Sequence, residues 1–250
     1  MTFKHTFVNA LPPLEAVRTD LGRFYKTPNG KLLPSVTTVL SETKDFKFGK
    51  ILDALASGQS TKEFSPMQVK IVQGWADKHG GAHAAKHIEG VKITDNGHNL
   101  HRCLESLVLN QPVENPHPHF DLFAKVLREN VTEVFGTELG LYSEEIGIAG
   151  TTDLAARWRT VPAIIDYKTS VKRKTVSRIK DYFVQTAMYA VLFEAVYGIR
   201  IPQLVVLIGD QETNSVKPFE APTADYIAHA AHRIKQYNQT LANQIDQLPI

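Results

Sequence analysis

The chain has 250 residues, 43% of them apolar and 22% charged, which is enough to bury a full core and too hydrophobic for a disordered polymer. A formal net charge of +2 excludes nucleic-acid binding by overall charge, so any such binding must come from local clusters of lysine and arginine. The single cysteine, Cys103, excludes an intramolecular disulfide framework and a four-thiolate cluster within one chain. No apolar run approaches the ~18 residues of a membrane span, and the N-terminal stretch has neither a signal-peptide core nor a transit composition, so a soluble, cytoplasmic protein is expected.

In chain order, "RFYKTPNGKLLPSVTTVLS" predicts a strand, a turn at Pro28-Asn29-Gly30 and a second strand or helix entry near Pro34-Ser35. Helical spacing runs from "SPMQVKIVQGWADKHGGAHAAKHIEG" through "NGHNLHRCLESLVLN". Val69, Val72 and Trp75 form one stripe, and Leu100, Leu104, Leu107 and Val108 another, with Ser65-Pro66 as N-cap and first helical residue. "QPVENPHPH" reads as a Pro-rich loop, after which "FDLFAKVLRENVTEVFG" resumes the helix on Phe120, Phe123, Val126 and Leu127.

The period then changes to two. "ELGLYSEEIGIAGTTDLAARWR" alternates as a strand, "AIIDYKTS" is a short apolar strand, and "RTVP" joins them as a hairpin. "TVSRIKDYFVQTAMYAVLFEAVYG" predicts a long helix with Ile179, Phe183, Ala187 and Ala190 inward and Gly198 as its stop. "QLVVLI" is a central strand buried on both faces, and "PTADYIAHAAHRIKQYNQTLANQI" an amphipathic helix capped near Thr223. The sum is an α/β core behind an N-terminal helical layer, expected as a single domain over 1–250, with a strand and helical part at 1–130 and a core at 131–250.

Charge at the end of an apolar strand needs a partner. In "IIDYKTS" the strand period puts Asp166 and Lys168 on one side, about 7 Å apart, and Tyr167 on the other. A paired hairpin brings Asp153 across from them. Such a group is either a structural ion pair or a site for a hard divalent cation, Mg²⁺ or Mn²⁺, with the ammonium positioning or deprotonating an attacking water or stabilising growing negative charge.

The basic run Lys168, Lys172, Arg173, Lys174, Arg178 and Lys180 contains no acid until Asp181; it is a solvated loop or a track for a phosphate backbone. Ser35, Thr37 and Thr38 either bind backbone phosphate or cap the next helix. His79, His83 and His87 recur every four residues, but without a nearby thiolate or acid an exposed helix face explains them as well as zinc does. Tyr25, Trp75 and Tyr182 are candidate platforms for stacked bases, and Cys103 reads as core packing.

Gly150-x-x-Asp153, followed after twelve residues by Asp166-x-Lys168, resembles the core of the PD-(D/E)XK nucleases in its RecB-type form. That form carries Gln-x-x-x-Tyr on the helix after the lysine strand, matched by Gln185 and Tyr189, and Gly-x-x-x-His-x-x-x-Glu upstream, matched by Gly97, His101 and Glu105. "LPSVTTVLS", "WADKHGGAHAAKHI" and "GHNLH" are similar to the mitochondrial genome maintenance exonuclease group and its phage relatives; Thr152 stands where the name-giving proline would be.

The resemblance, from about Tyr25 to Gly209, implies a restriction-endonuclease-like core, a central mixed sheet flanked by helices. It implies a Mg²⁺- or Mn²⁺-dependent deoxyribonuclease, an exonuclease acting on single-stranded DNA through a metal-activated water, in a bacterial or phage-infected cell. Asp153 and Asp166 would be direct metal ligands, the Tyr167 carbonyl and His101 further ligands, Lys168 the water-activating residue, and Gln185 and Tyr189 partners on one helix face. Glu144 or Glu145 would join through a water. DNA would also be contacted by Ser35, Thr37, Lys172, Arg173, Lys174 and Arg178. The alternatives are a structure-selective or double-strand nuclease on the same core, or a non-catalytic DNA-binding subunit of a recombination, repair or replication complex.

Overall fold

The computed structural model describes the backbone of residues 2–19, 21–170, 174–175 and 178–245, and the side chains of these except 87–97 and 242–245. The chain forms two compact units, one of residues 1–43 with 100–250, the other of 44–99.

The first unit opens with a small antiparallel sheet of β1 (Glu15–Thr19), β2 (Gly22–Lys26) and β3 (Leu32–Pro34), followed by α1 (Val36–Glu42). The last turns of α4 (Ala82–Val108) and α5 (Phe120–Asn130) precede the main sheet. This sheet is built of β4 (Val131–Ser143), β5 (Ile148–Trp158), β6 (Val161–Ser170), β7 (Gln203–Asp210) and β8 (Ser215–Pro222), in that spatial order. Every neighbouring pair is antiparallel except β6 and β7, because α6 (Lys180–Tyr197) makes the crossover a parallel pair requires. The expected mixed sheet flanked by helices is therefore present. α7 (Ala224–Ile245) ends the described chain.

Strand alternation divides the core in two. On one face Ile164, Leu204 and Val206 pack with Phe183, Ala187 and Leu192 of α6. On the other Ile165, Tyr167, Val205 and Leu207 pack with Leu100 and Leu104 of α4 and Phe123 and Leu127 of α5. β6 and β7 thus bury both faces, which is why "AIIDY" and "QLVVLI" are continuous apolar runs. Gly198 ends α6 in the left-handed region, φ 66°, as expected of a C-terminal stop.

Two expectations need correction, and three elements were not foreseen. The helix drawn through "VTEVFG" stops at Asn130, and β-branched Val131, Thr132 and Val134 instead begin β4, so the boundary falls at 130/131. "ELGLYSEEIGIAGTTDLAARWR" is two strands, β4 and β5, broken by a turn at 144–147 that closes on Gly147, φ 81°. β1, α2 (Phe48–Ser57) and β8 had no counterpart in the sequence reading.

The second unit consists of α2, α3 (Pro66–Asp77) and residues 82–99 of α4, around Ile51, Leu52, Val72, Ala76 and Ala85. Pro66 follows the N-cap Ser65 as expected. No helix among the described residues is long and apolar enough to cross a membrane.

Candidate metal centre

The centre begins where β5 and β6 part company. Their pairing ends at Leu154 opposite Ile165. Beyond it the Asp153 side chain replaces the strand partner, its Oδ2 accepting the Tyr167 backbone N–H at 2.7 Å. Asp153 Oδ1 lies 3.4 Å from Nδ1 of His101, contributed by α4. On the other side of β5, Thr137 pairs with Leu154 and Leu139 with Thr152, which sets Glu138 opposite Asp153. Glu138 has a φ of 47°, sparsely populated for a side-chain-bearing residue. Its Oε1 lies 3.8 Å from His101 Nδ1. A bulge between Val134 and Gly136 precedes it, and a Cβ on Gly136 would come within 2.7 Å of Leu139 Cδ1, so a side chain there would have to displace Leu139. The ligand atoms of His101, Glu138 and Asp153 all lie within 4.8 Å of one another.

Asp166 is 1% exposed. Lys168, two residues on and on the same face, donates to its Oδ1 at 2.7 Å and stands 2.6 Å from Oδ2, which accepts no aligned hydrogen bond. Burial pushes the Asp166 carboxyl up to about 6; Lys168 resists, and the Asp153 charge adds to the rise. Asp153 moves the opposite way: burial opposes its charge, but His101, Lys168 and the Tyr167 N–H outweigh it and hold the carboxyl low. Burial works against the Lys168 ammonium too, yet Asp166 and Asp153 hold its pKa above the ordinary value. His101 follows the same logic: burial is outweighed by Asp153 and Glu138, and its pKa rises to about 10. Burial, then Glu138, pushes up Glu105 as well.

The helix motif closes the other side. Gln185 Nε2 is 3.5 Å from the Tyr189 hydroxyl, and the Tyr189 ring packs where a Cβ on Gly150 would lie 2.7 Å from its Cε1. Burial first, then the charges of Asp153 and Asp166, push the Tyr189 hydroxyl pKa up, so it stays a proton donor. Lys168 Nζ rests 5.5 Å from the centroid of the Tyr182 ring.

Sequence reasoning therefore placed His101, Asp153, Asp166, Lys168, Gln185 and Tyr189 around one strand edge, and missed Glu138. The signal was available: pairing residues outward from the turn at 144–147 puts Glu138 opposite Asp153. Glu144, by contrast, sits at that turn, on the order of 20 Å along β4 from Glu138. Its Oε1 accepts from Thr27 Oγ1 at 3.0 Å and Asn29 Nδ2 at 3.2 Å. Tyr167 turns its ring to the opposite face, edge-on to His101 at 5.7 Å.

Ser35 is fully buried and caps α1, its Oγ accepting the Thr38 N–H at 3.0 Å; Thr37 is half-buried. Lys174 is half-buried and Arg178 exposed, while Lys172 and Arg173 lie outside the described residues. Tyr25, 6% exposed, offers no free face to a base. His79 stacks on Trp75, and neither it nor His83 belongs to a metal-ligating cluster among the described residues; the His87 side chain lies outside them.

The donor set suits a hard divalent cation: carboxylate oxygens and one imidazole, with a buried Asp166 oxygen short of donors.

Comparison with curated protein sequences finds no match. Among solved structures, the chain is similar to a Eubacterium rectale protein provisionally described as an exonuclease, at 10% identity and a TM-score of 0.38 over 83% of this chain and 70% of that one. It is also similar to SSO0001, at 20% identity and a TM-score of 0.28 over 47% and 56% of the two chains. A third likeness is to Scheffersomyces stipitis Rai1, at 11% identity and a TM-score of 0.25 over 41% and 30%. A sequence profile of the PD-(D/E)XK nuclease superfamily matches residues 117–249, more than half of the chain and all of the five-stranded sheet, and the chain belongs to that superfamily.

Proposed function

We propose that the chain is a Mg²⁺- or Mn²⁺-dependent deoxyribonuclease, an exonuclease acting on single-stranded DNA, akin to the mitochondrial genome maintenance exonuclease group and its phage relatives. The observation that carries this reading is Asp166. A structural ion pair in a protein interior satisfies the acceptors of its carboxylate. Asp166 instead has a raised pKa, one oxygen without an aligned donor, and a second carboxylate, Asp153, adding to the rise.

Asp153, Asp166, Glu138, His101 and the Tyr167 carbonyl are the residues to hold the cation. A divalent ion there supplies Lewis-acid stabilisation of phosphoryl oxygens and lowers the pKa of a bound water. Lys168, kept as an ammonium by its two carboxylates and seated on the Tyr182 ring, places a mobile positive charge beside the phosphate under attack and orients the water. Tyr189, kept protonated and steadied by Gln185, donates a hydrogen bond to the substrate at the same edge. Lys174 and Arg178, with the sequence neighbours Lys172 and Arg173, lead the phosphate backbone toward Lys168. The single-strand preference and the exonuclease mode rest on the likeness of "LPSVTTVLS" and "GHNLH" to that group.

The test uses oligonucleotides labelled at either end, single-stranded and duplex, and a circular single strand, each in Mg²⁺, Mn²⁺ or EDTA. Stepwise shortening of the linear single strand, only with metal, is expected. Cutting of the circle would replace the exonuclease mode, faster loss of the duplex would replace the strand preference, and intact DNA in both metals would remove the nuclease reading altogether.

A further inference from the structure

Arg23 is held in a way that the fold alone does not require. Its backbone is clamped by the start of α1: its N–H donates to Thr38 Oγ1 at 2.9 Å, and its carbonyl accepts from Thr38 Oγ1 and from the Ser35 N–H, both at 2.9 Å. Its guanidinium donates through NH2 to Thr37 Oγ1 at 3.2 Å. Thr37 Oγ1 and Ser35 Oγ are 2.9 Å apart, and Ser35 Oγ donates to Thr38 Oγ1 at 2.9 Å. Each hydroxyl has one proton. The Thr38 proton goes to the Arg23 carbonyl and the Ser35 proton to Thr38, so the Thr37 proton goes to Ser35. The hydroxyls of "SVTT" thus form a closed relay from the guanidinium back to the carbonyl of the same arginine. Gly22 allows it: at φ 116°, a Cβ there would meet Thr38 Cγ2 at 2.7 Å.

Among the described residues no acid neutralises the head group so mounted. Arg23 is half-buried, lies 5.5 Å over the Tyr25 ring, and forms no ion pair among the described residues. A guanidinium has five N–H donors, and only one is engaged by Thr37. Desolvating an arginine without a carboxylate costs free energy unless an anion arrives. Its position says which anion. The Tyr25 hydroxyl is 3.5 Å from Thr151 Oγ1, and Thr151 precedes Asp153 by two residues on the same face of β5, about 7 Å away.

We infer that Arg23 binds a backbone phosphate of the substrate strand on its way to the Asp153 edge, and that Ser35, Thr37 and Thr38 are its mount and not themselves phosphate ligands. This rests on the nuclease reading for the identity of the strand. Planar, always-charged arginine suits the task, since it takes a phosphate bidentately while the Tyr25 ring and Thr37 fix its plane.

The test is the affinity of the full chain for a fluorescein-labelled oligothymidylate in Ca²⁺, titrated over a range of salt, with cleavage assayed in Mn²⁺. Arg23→Gln is expected to weaken binding about tenfold, as for one charge-assisted hydrogen-bonded contact, and to lower the slope of log affinity against log salt by about 0.7. Arg23→Lys keeps the slope and loses a few-fold in affinity; Thr37→Val, which leaves the charge and frees the head group, does the same. Unchanged affinity in Arg23→Gln, or a loss with the slope unchanged, overturns the inference, the latter by making Arg23 a packing residue. If the wild type binds and cuts DNA while Arg23→Gln is indifferent, only this inference falls. If the wild type binds no oligonucleotide, the nuclease reading falls with it.

Discussion

Two carboxylates of the main sheet, Glu133 near the start of β4 and Asp166 near the end of β6, meet positive charge in opposite ways. Glu133 is saturated: Oε1 accepts from Thr6 Oγ1 at 2.6 Å and pairs with Lys4 Nζ at 2.9 Å, while Oε2 accepts from Arg157 Nε at 2.8 Å. Those three donors, Thr6 first, then Lys4 and Arg157, hold its carboxyl down at about 2. Asp166 pairs with Lys168, whose charge it shares with Asp153, is buried, and titrates upward. The difference is one of acceptor capacity. Glu133 has spent its lone pairs on the fold, whereas Asp166 keeps some in reserve, and reserve in a buried place is what a ligand can use.

The largest effect should come from removing the cation that faces the reserve. Lys168→Ala is expected to lower the single-turnover rate of single-strand cleavage by about 10²–10³-fold, the scale of losing one preorganised charge donor in a site. Binding of the strand should stay within a few-fold, because Arg23, Arg178 and the metal ligands remain. Glu133→Gln should cut at close to the wild-type rate. Equal rates for Lys168→Ala and wild type would remove Lys168 from the chemistry.

Metal should separate the two carboxylates next. A ligand at 100 times its dissociation constant stabilises a fold by about 2.7 kcal/mol. At about 2–4 °C per kcal/mol for a chain of this size, saturating Mn²⁺ should raise the melting temperature by roughly 5–10 °C. Asp166→Asn and Asp153→Asn should lose most of that increment, Glu138→Gln a part of it, and Glu133→Gln none. An undiminished increment in Asp166→Asn would make its reserve capacity irrelevant to metal.

What the sequence made legible follows from which geometry is local. Asp166 and Lys168 share a side because alternation is fixed by strand covalent geometry, and Gln185 and Tyr189 share one because a helix repeats near four. Glu138 was invisible to both rules, since its neighbour Asp153 is set by register across a turn. The overrun of α5 has a related cause: Leu127, Val131, Val134 and Phe135 keep helical spacing, so apolar period alone could not see the change at Asn130. β8 hid behind Pro218 and Pro222, tolerated because it is an edge strand with no outer partner among the described residues. "PSVTT" leaves cap and phosphate ligand open in the sequence because a hydroxyl serves both; the structure shows Ser35 Oγ capping α1 and bonded within the ring of hydroxyls around Arg23.

The smallest effect tests the saturated member. Because the folded Glu133 carboxyl titrates at about 2 and the ordinary value is 4.5, its ion pairs stabilise the fold fully above about pH 4.5, and that contribution is lost as pH falls toward 2. Melting temperatures of wild type and Glu133→Gln should therefore differ at pH 7 and converge between pH 4.5 and 2.5, and the gap should narrow in high salt, since Lys4 is exposed. Asp166 runs the other way: its folded pKa lies above the ordinary 3.8, so its ionisation costs stability above pH 6, and the cost fades as pH falls through 6 toward 3.8. A Glu133→Gln gap that stayed constant down to pH 2.5 would mean that the Thr6 hydroxyl and packing, which do not titrate, hold that corner of the sheet, and that charge saturation is not what sets Glu133 apart from Asp166.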